Sequence, residues 1–166
     1  PDTRLLVNAD DPILADIGLQ RPGSVFFGLG GASGYSRDQL QHASDSSNCP
    51  QCSAPLSYKH VTLSHMGDWK CENCNLTRPQ LDFEVSQIRL YGLNRSEFTI
   101  YGKSGFHEIS STMPGLHNVY NALAAFSAAS ELGIDHGGIA SSISQTVAAF
   151  GRTEKVVIND REINIL

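Results

Sequence analysis

The chain has 166 residues, 40% hydrophobic and 17% charged, with a formal net charge of −5 and a pI near 5.6. That length suits one ordinary domain, or a domain with a small insert, and no apolar run approaches the roughly 18 residues that a membrane-spanning helix requires. An acidic balance also argues against non-specific nucleic-acid binding, which rests on Lys and Arg neutralising phosphates.

Taken in chain order, "RLLVNADDP" reads as an apolar strand running into a polar turn, "ILADIGL" as a helix and "SVFFGLG" as a second strand. A strand–helix–strand unit of this kind favours parallel pairing. Gly28, Gly30, Gly31 and Gly34 of "GLGGASG" follow that strand, but they space poorly for a dinucleotide fingerprint and no clear helix follows, so a loop is expected. The polar stretch "QHASDSSN" then opens an excursion over residues 42–82, inserted into a host made of residues 1–41 and 83–166.

The excursion holds all the cysteines of the chain. Cys49, Cys52, Cys71 and Cys74 read C-x2-C-x18-C-x2-C, and each C-x2-C turn aims two thiolates at one point. Two such turns supply the four sulfur ligands of a tetrahedral zinc, and Ser53 and Asn75 after each pair are small or turn-tolerant, as a knuckle needs. Between the pairs, "LSYKHVTLSHMGDWK" alternates apolar with polar around Met66-Gly67-Asp68, which suggests a hairpin turning there. The expectation is a zinc ribbon with four cysteine ligands. Two disulfides need an oxidising compartment that nothing here indicates, and a redox pair would open a helix, which Pro50 and Pro55 disfavour. Four sulfurs leave no position for water, so the metal is expected to be structural. His60 and His65 are expected on the hairpin surface. Lys59, Lys70 and Arg78 face Asp68, Glu72 and a negative tetrathiolate centre, which is no footprint for a phosphate backbone. Trp69 either stacks on a base or, as the better reading, covers the small core of the ribbon.

Beyond the excursion, "FEVSQIRLYG", "EFTIYGK" and "GFHEISS" read as short antiparallel strands joined by turns containing Asn94-Arg95 and Ser104-Gly105. After Pro114-Gly115, "LHNVYNALAAFSAASELG" places Val119, Leu123 and Phe126 at helical spacing and closes at Gly133. Asp135 is the expected N-cap of another helix, with Ile139, Ile143, Val147 and Phe150 on one stripe and Gly151 at its end. "EKVVINDREINIL" reads as a hairpin turning at Asn159-Asp160. The host is therefore α/β.

Two polar features bear on ligands. "YGKSG" resembles a phosphate loop but has Glu97 where the motif needs glycine, and strands rather than a helix follow. In "PGLHNVYN", His117, Asn118 and Asn121 lie near one face of the first turns of a helix. Either His117 or Asn118 caps the helix, or the two carboxamides and the helix N-terminus form a polar site for a nucleotide or phosphate.

The blocks "MPGLHNVYNALAAFSAA", "FGRTEKV" and "LLVNADDP", the last of these opening the chain, resemble the central ATPase domain of the Mur ligases and folylpolyglutamate synthases. The inserted four-cysteine ribbon resembles the branch of that family that works with a partner glutaminase. The resemblance implies a mixed sheet with flanking helices and a small antiparallel patch. It also implies a nucleotide site at His117, Asn118 and Asn121, with Arg152 of G-R-x-E reaching the phosphates of ATP; without the resemblance Arg152 reads as a surface residue at a helix C-terminus. The implied reaction needs ATP and Mg2+, forms an acyl phosphate on the D-glutamate α-carboxyl of lipid II and opens it with ammonia from a partner glutaminase subunit. No free cysteine is left here to serve as a glutaminase nucleophile. A cytoplasmic location at the membrane surface follows from the same resemblance. Pro1 is no native start and "EINIL" ends in strand-like sequence, so a fragment is expected, lacking the P-loop upstream and the C-terminal domain downstream, and inactive alone. The competing reading is a zinc-ribbon module that binds nucleic acid or protein without catalysis.

Overall fold

The computed structural model describes residues 3–31, 47–147, 154–159 and 161–165. β1 (Leu6–Asn8) runs into α1 (Pro12–Leu19), and β2 (Val25–Leu29) returns beside β1 in parallel, with Val7 opposite Phe26. Asp11 starts α1: its Oδ1 accepts from the amides of Ile13 at 2.9 Å and Leu14 at 3.1 Å, and Pro12 follows at the first helical position, where a missing N–H costs nothing.

β3 (Leu56–Leu63) and β4 (Met66–Cys71) form a separate antiparallel hairpin. Its turn is not at Met66-Gly67-Asp68, which lie inside β4, but at Ser64-His65, where Leu63 pairs with Met66 and Ser64 adopts a φ of 54°. Gly67 answers a different demand, since a Cβ there would stand 2.0 Å from the carbonyl oxygen of His60 across a bulged ladder.

β5 (Phe83–Tyr91) then joins β2 in parallel, and β6 (Arg95–Gly102) and β7 (Gly105–Ser111) add antiparallel strands, giving the order β1-β2-β5-β6-β7. The β5–β6 turn occupies residues 92–94, with Gly92 at a φ of 57°, so Arg95 opens β6 instead of sitting in the turn. Lys103-Ser104 is a two-residue turn between paired Gly102 and Gly105, which disposes of the phosphate-loop resemblance; Lys103 reaches Glu131 at 3.0 Å.

α2 (Leu116–Glu131) lays Val119, Leu123 and Phe126, all fully buried, against Val25, Phe83, Val85 and Ile100 of the sheet. It closes at Gly133, whose φ of 78° is the left-handed conformation that ends helices. α3 (His136–Gln145) is capped by Asp135 through a 2.8 Å bond from the Gly138 amide and adds Ile139 and Ile143 to the same core. It ends earlier than its apolar stripe suggests. Thr146 is extended, with ψ at 130°, and Val147 is 71% exposed, so the stripe stops at Ile143; Phe150 and Gly151 lie outside the described residues. β8 (Glu154–Ile158) and β9 (Arg161–Ile165) form the expected hairpin, with Ile158 opposite Arg161.

Candidate functional site

The two knuckles are built alike. Cys49 N–H donates to Ala54 O at 2.8 Å and Ser53 N–H to Cys49 O at 2.9 Å; Cys71 N–H donates to Leu76 O at 2.7 Å and Asn75 N–H to Cys71 O at 3.1 Å. Ser53 and Asn75 take φ values of 60° and 61°, the left-handed geometry that bends each turn back over its sulfurs. The four Sγ atoms consequently lie within 4.8 Å of one another, with Cys49–Cys74 and Cys52–Cys71 at 3.5 Å. Zinc–sulfur bonds of about 2.3 Å put tetrahedral sulfurs about 3.8 Å apart, so this cluster has the dimensions of a four-thiolate zinc site, whereas a disulfide needs about 2.05 Å. The thiols are unlike in acidity. The Asn73 side chain and the Ala54 backbone pull Cys52 down to about 6. For Cys74 the Leu76 backbone pulls down, but burial and the three neighbouring sulfurs prevail and push it up to about 12. Four sulfurs gathered at this spacing are a donor set that could hold a metal ion.

The ribbon does not hang free of its host. It grips the β1–α1 turn, residues 8–16, from one side. Gly67 N–H donates to Asp10 O at 3.0 Å, Trp69 Nε1–H donates to Ala9 O at 3.0 Å, and Gln51 Nε2 donates to Asp16 Oδ1 at 2.7 Å. Trp69, 1% exposed, packs with Ala15 of α1 as well as Cys49, Leu56 and Cys71. It has no face open to stack on a base. His65, expected on the surface, instead sets Nε2 3.1 Å from Asp11 Oδ2, and its backbone carbonyl accepts from Tyr58 Oη at 2.9 Å. Burial and the charge of Asp11 push the Tyr58 phenol up to about 12, which keeps that donor protonated.

At the centre of this contact is a group that sequence reading passed over. Asp10 is fully buried at the carboxyl end of β1; Arg78 Nη2, arriving from the end of the ribbon, stands 2.5 Å from its Oδ1 and also donates to Leu29 O at 2.7 Å. Asp10 Oδ2 accepts from the Leu29 amide at 2.9 Å and from Tyr120 Oη at 2.5 Å, and Tyr120 Oη lies 2.8 Å from Thr62 Oγ1 of β3. Burial raises the Asp10 carboxyl above its ordinary value, against the pull of Arg78, Tyr120 and the Leu29 amide. Burial and the charge on Asp10 hold Tyr120 well above the usual phenol range, so it remains the donor. Gly28 is required beneath this pair, since a Cβ would come within 2.3 Å of Asp10 Oδ1 and 2.8 Å of Arg78 Nη2. The repeated aspartates of "NADDP" and a lone arginine between ribbon and host were the available signals, but pairing across so many residues leaves no periodic trace.

The polar end of α2 has the carboxamides on its surface. Gly115, not Asn118 or His117, is the N-cap, and no side chain bonds the first amides. Asn118 Nδ2 donates instead to Pro114 O at 2.7 Å, Asn121 Nδ2 is a long 3.5 Å from Asn118 Oδ1, and His117 and Asn121 are exposed. The three residues thus share one end of α2, where the positive end of the helix dipole lies. Arg152 lies outside the described residues.

No family model matches the chain. Among curated proteins, the MurT subunit of lipid II isoglutaminyl synthase (glutamine-hydrolyzing) from Streptococcus pneumoniae is 34% identical over 167 residues, covering 100% of this chain and 36% of that protein. The same-named subunit from Staphylococcus aureus is 26% identical over 151 residues, 91% of this chain and 32% of that protein. Among solved structures, a pseudomurein peptide ligase type C from Methanothermus fervidus superposes with a TM-score of 0.80 at 30% identity, over 98% of this chain and 31% of that one. This chain therefore spans about a third of the length of the curated relatives it matches.

Proposed function

We propose that this chain, which resembles MurT and a pseudomurein peptide ligase and carries a mixed α/β fold with a clustered four-cysteine ribbon, forms part of an ATP-dependent carbon–nitrogen ligase of peptidoglycan synthesis. The substrate is the D-glutamate α-carboxyl of lipid II. Its oxygen attacks the γ-phosphate of ATP, releasing ADP and leaving an acyl phosphate; ammonia then attacks the acyl carbon and expels phosphate, leaving an amide. Such a reaction calls for alignment and charge neutralisation more than for an acid or base.

His117, Asn118 and Asn121 serve the nucleotide at the N-terminal end of α2, and Arg152 serves the phosphates through its permanent planar charge. Mg2+ accompanies ATP in the full-length enzyme. Cys49, Cys52, Cys71 and Cys74 hold a structural zinc, whose contribution is folding free energy, since four sulfurs complete its coordination. With its cysteines so used, the protein takes ammonia from a partner glutaminase, in the cytoplasm at the membrane surface. The observation that carries this reading is a metal-sized thiol cluster within a chain that aligns over its whole length with 36% of the MurT subunit from Streptococcus pneumoniae.

The test is full-length protein with a glutaminase partner, glutamine, ATP and lipid II, followed by mass spectrometry of the stem peptide. Conversion of the carboxyl to a carboxamide with ADP release supports the reading, as does its abolition by Arg152→Ala in a folded protein; wild-type amidation by that variant sinks the assignment of Arg152. The likeness to a pseudomurein peptide ligase favours one second reading, in which the acyl phosphate passes to an amino acid, and the same assay distinguishes it by the mass of the product.

A further inference from the structure

Three parts of the molecule meet on the Asp10 carboxylate: Arg78 from the ribbon, the Leu29 amide from β2 and Tyr120 from α2. The position of Arg78 is inherited from the metal knuckle. It follows Cys74 closely, its backbone N–H is tied to Trp69 O at 3.1 Å, and the residue before it, Thr77, makes an isolated bridge to Lys70 of β4. At the far end, Tyr120 sits on α2 between Asn118 and Asn121, and its ring is buried while its neighbours reach the surface. A run of contacts, at the surface near Cys74 and Thr77 and buried around Asp10 and Tyr120, therefore joins the knuckle to the polar end of α2.

We infer that Arg78, Asp10 and Tyr120 are positioning residues for the nucleotide end of α2, so that metal occupancy in the ribbon sets nucleotide affinity. This rests on the proposed nucleotide role of His117, Asn118 and Asn121. Without metal, the two knuckles lose the centre that ties them together and Arg78 loses the frame that holds it. Asp10 then becomes a buried charge short of its counter-ion, and it recovers solvation by leaving Tyr120 or admitting water. Either response frees the first turns of α2 from β1 and β2. Ribbon and nucleotide become linked through one carboxylate, and linkage of this kind typically changes affinity about 5- to 150-fold.

The experiment uses full-length protein and measures MgATP affinity by titration calorimetry, together with amide hydrogen exchange over residues 116–123. The proteins are wild type, Tyr120→Phe, Arg78→Lys and Leu123→Ala, each zinc-loaded and after chelation. Tyr120→Phe keeps the buried ring and removes the hydroxyl on Asp10, so the fold is retained. Chelation of the wild type and Tyr120→Phe should each weaken ATP binding at least about 5-fold. Their combination should be no worse than the larger single effect, because both cut one path. The KM for ATP should rise while that for the amine donor stays constant. Leu123→Ala destabilises α2 by a cavity without touching Asp10, and it should leave the ATP affinity of the folded protein unchanged. Unchanged affinity and exchange in both chelated wild type and Tyr120→Phe overturns the inference while leaving the nucleotide site standing. Equal losses in Leu123→Ala overturn it too, by showing a merely structural effect. A zinc-loaded wild type that binds no ATP removes the nucleotide site itself, and the inference falls with it.

Discussion

Arg78 Nη2 stands 2.5 Å from Asp10 Oδ1, with the two side chains 10% and 0% exposed. This ion pair fastens the four-cysteine ribbon to the carboxyl end of β1, the edge of an α/β sheet where ligands bind. The ribbon is thus, by its placement, a wall of the host.

Breaking that pair from one side should be costly. Arg78→Met leaves Asp10 charged and buried without its partner, and such losses run to about 3–5 kcal/mol. Asp10→Asn combined with Arg78→Met should cost less than Arg78→Met alone, because no uncompensated charge remains. Urea unfolding of the two variants checks this; equal losses would mean that the charge on Asp10 is already neutralised by its other donors.

Removing metal should disturb more than the ribbon. Native protein purified without added zinc should carry one zinc per chain and four thiols protected from titration. On chelation, exchange protection should fall over residues 47–80, at residues 8–16, which Gly67, Trp69 and Gln51 hold, and in the first turns of α2, whereas the later turns of α2 from Phe126 onward should stay protected. Loss confined to residues 47–80 would show that the polar contacts to the β1–α1 turn contribute nothing.

The cap of α3 offers a change remote from both metal and Asp10. Asp135→Ala removes the acceptor for the Gly138 amide and should cost about 1 kcal/mol. Thermal melting measures it, and zinc content and ATP affinity should be unaltered.

Glu131 provides a pH signature. Hydrogen bonds from Lys103 and then Arg4, with their charges, hold its carboxyl below the ordinary value of 4.5. A carboxylate depressed in the folded state stabilises above its unfolded value and loses that contribution as pH falls through the folded one. Wild type should therefore exceed Glu131→Gln in stability at neutral pH and converge with it in acid below pH 4.5. A gap of constant size across that range would assign the difference to packing.

Local pattern was enough for much of this molecule. C-x2-C spacing announced the thiol cluster, because a knuckle is built within a few residues, and Ser53 and Asn75 adopt the turn geometry their size permits. The apolar stripe of Val119, Leu123 and Phe126 announced α2, and Asp135 announced the start of α3, since helical period and capping are short-range effects. Boundaries drifted where a short-range cue had another use. Gly67 allows close strand contact instead of a turn, and Val147 continues a stripe after the backbone has already extended at Thr146. What the tertiary structure decided was the meeting of distant polar groups. Asp10, Arg78 and Tyr120 carry no shared period or spacing, and nothing in their neighbours says that they are buried together. Burial makes an isolated charge expensive, so the fold brings these groups to one point, and that point joins ribbon, sheet and helix.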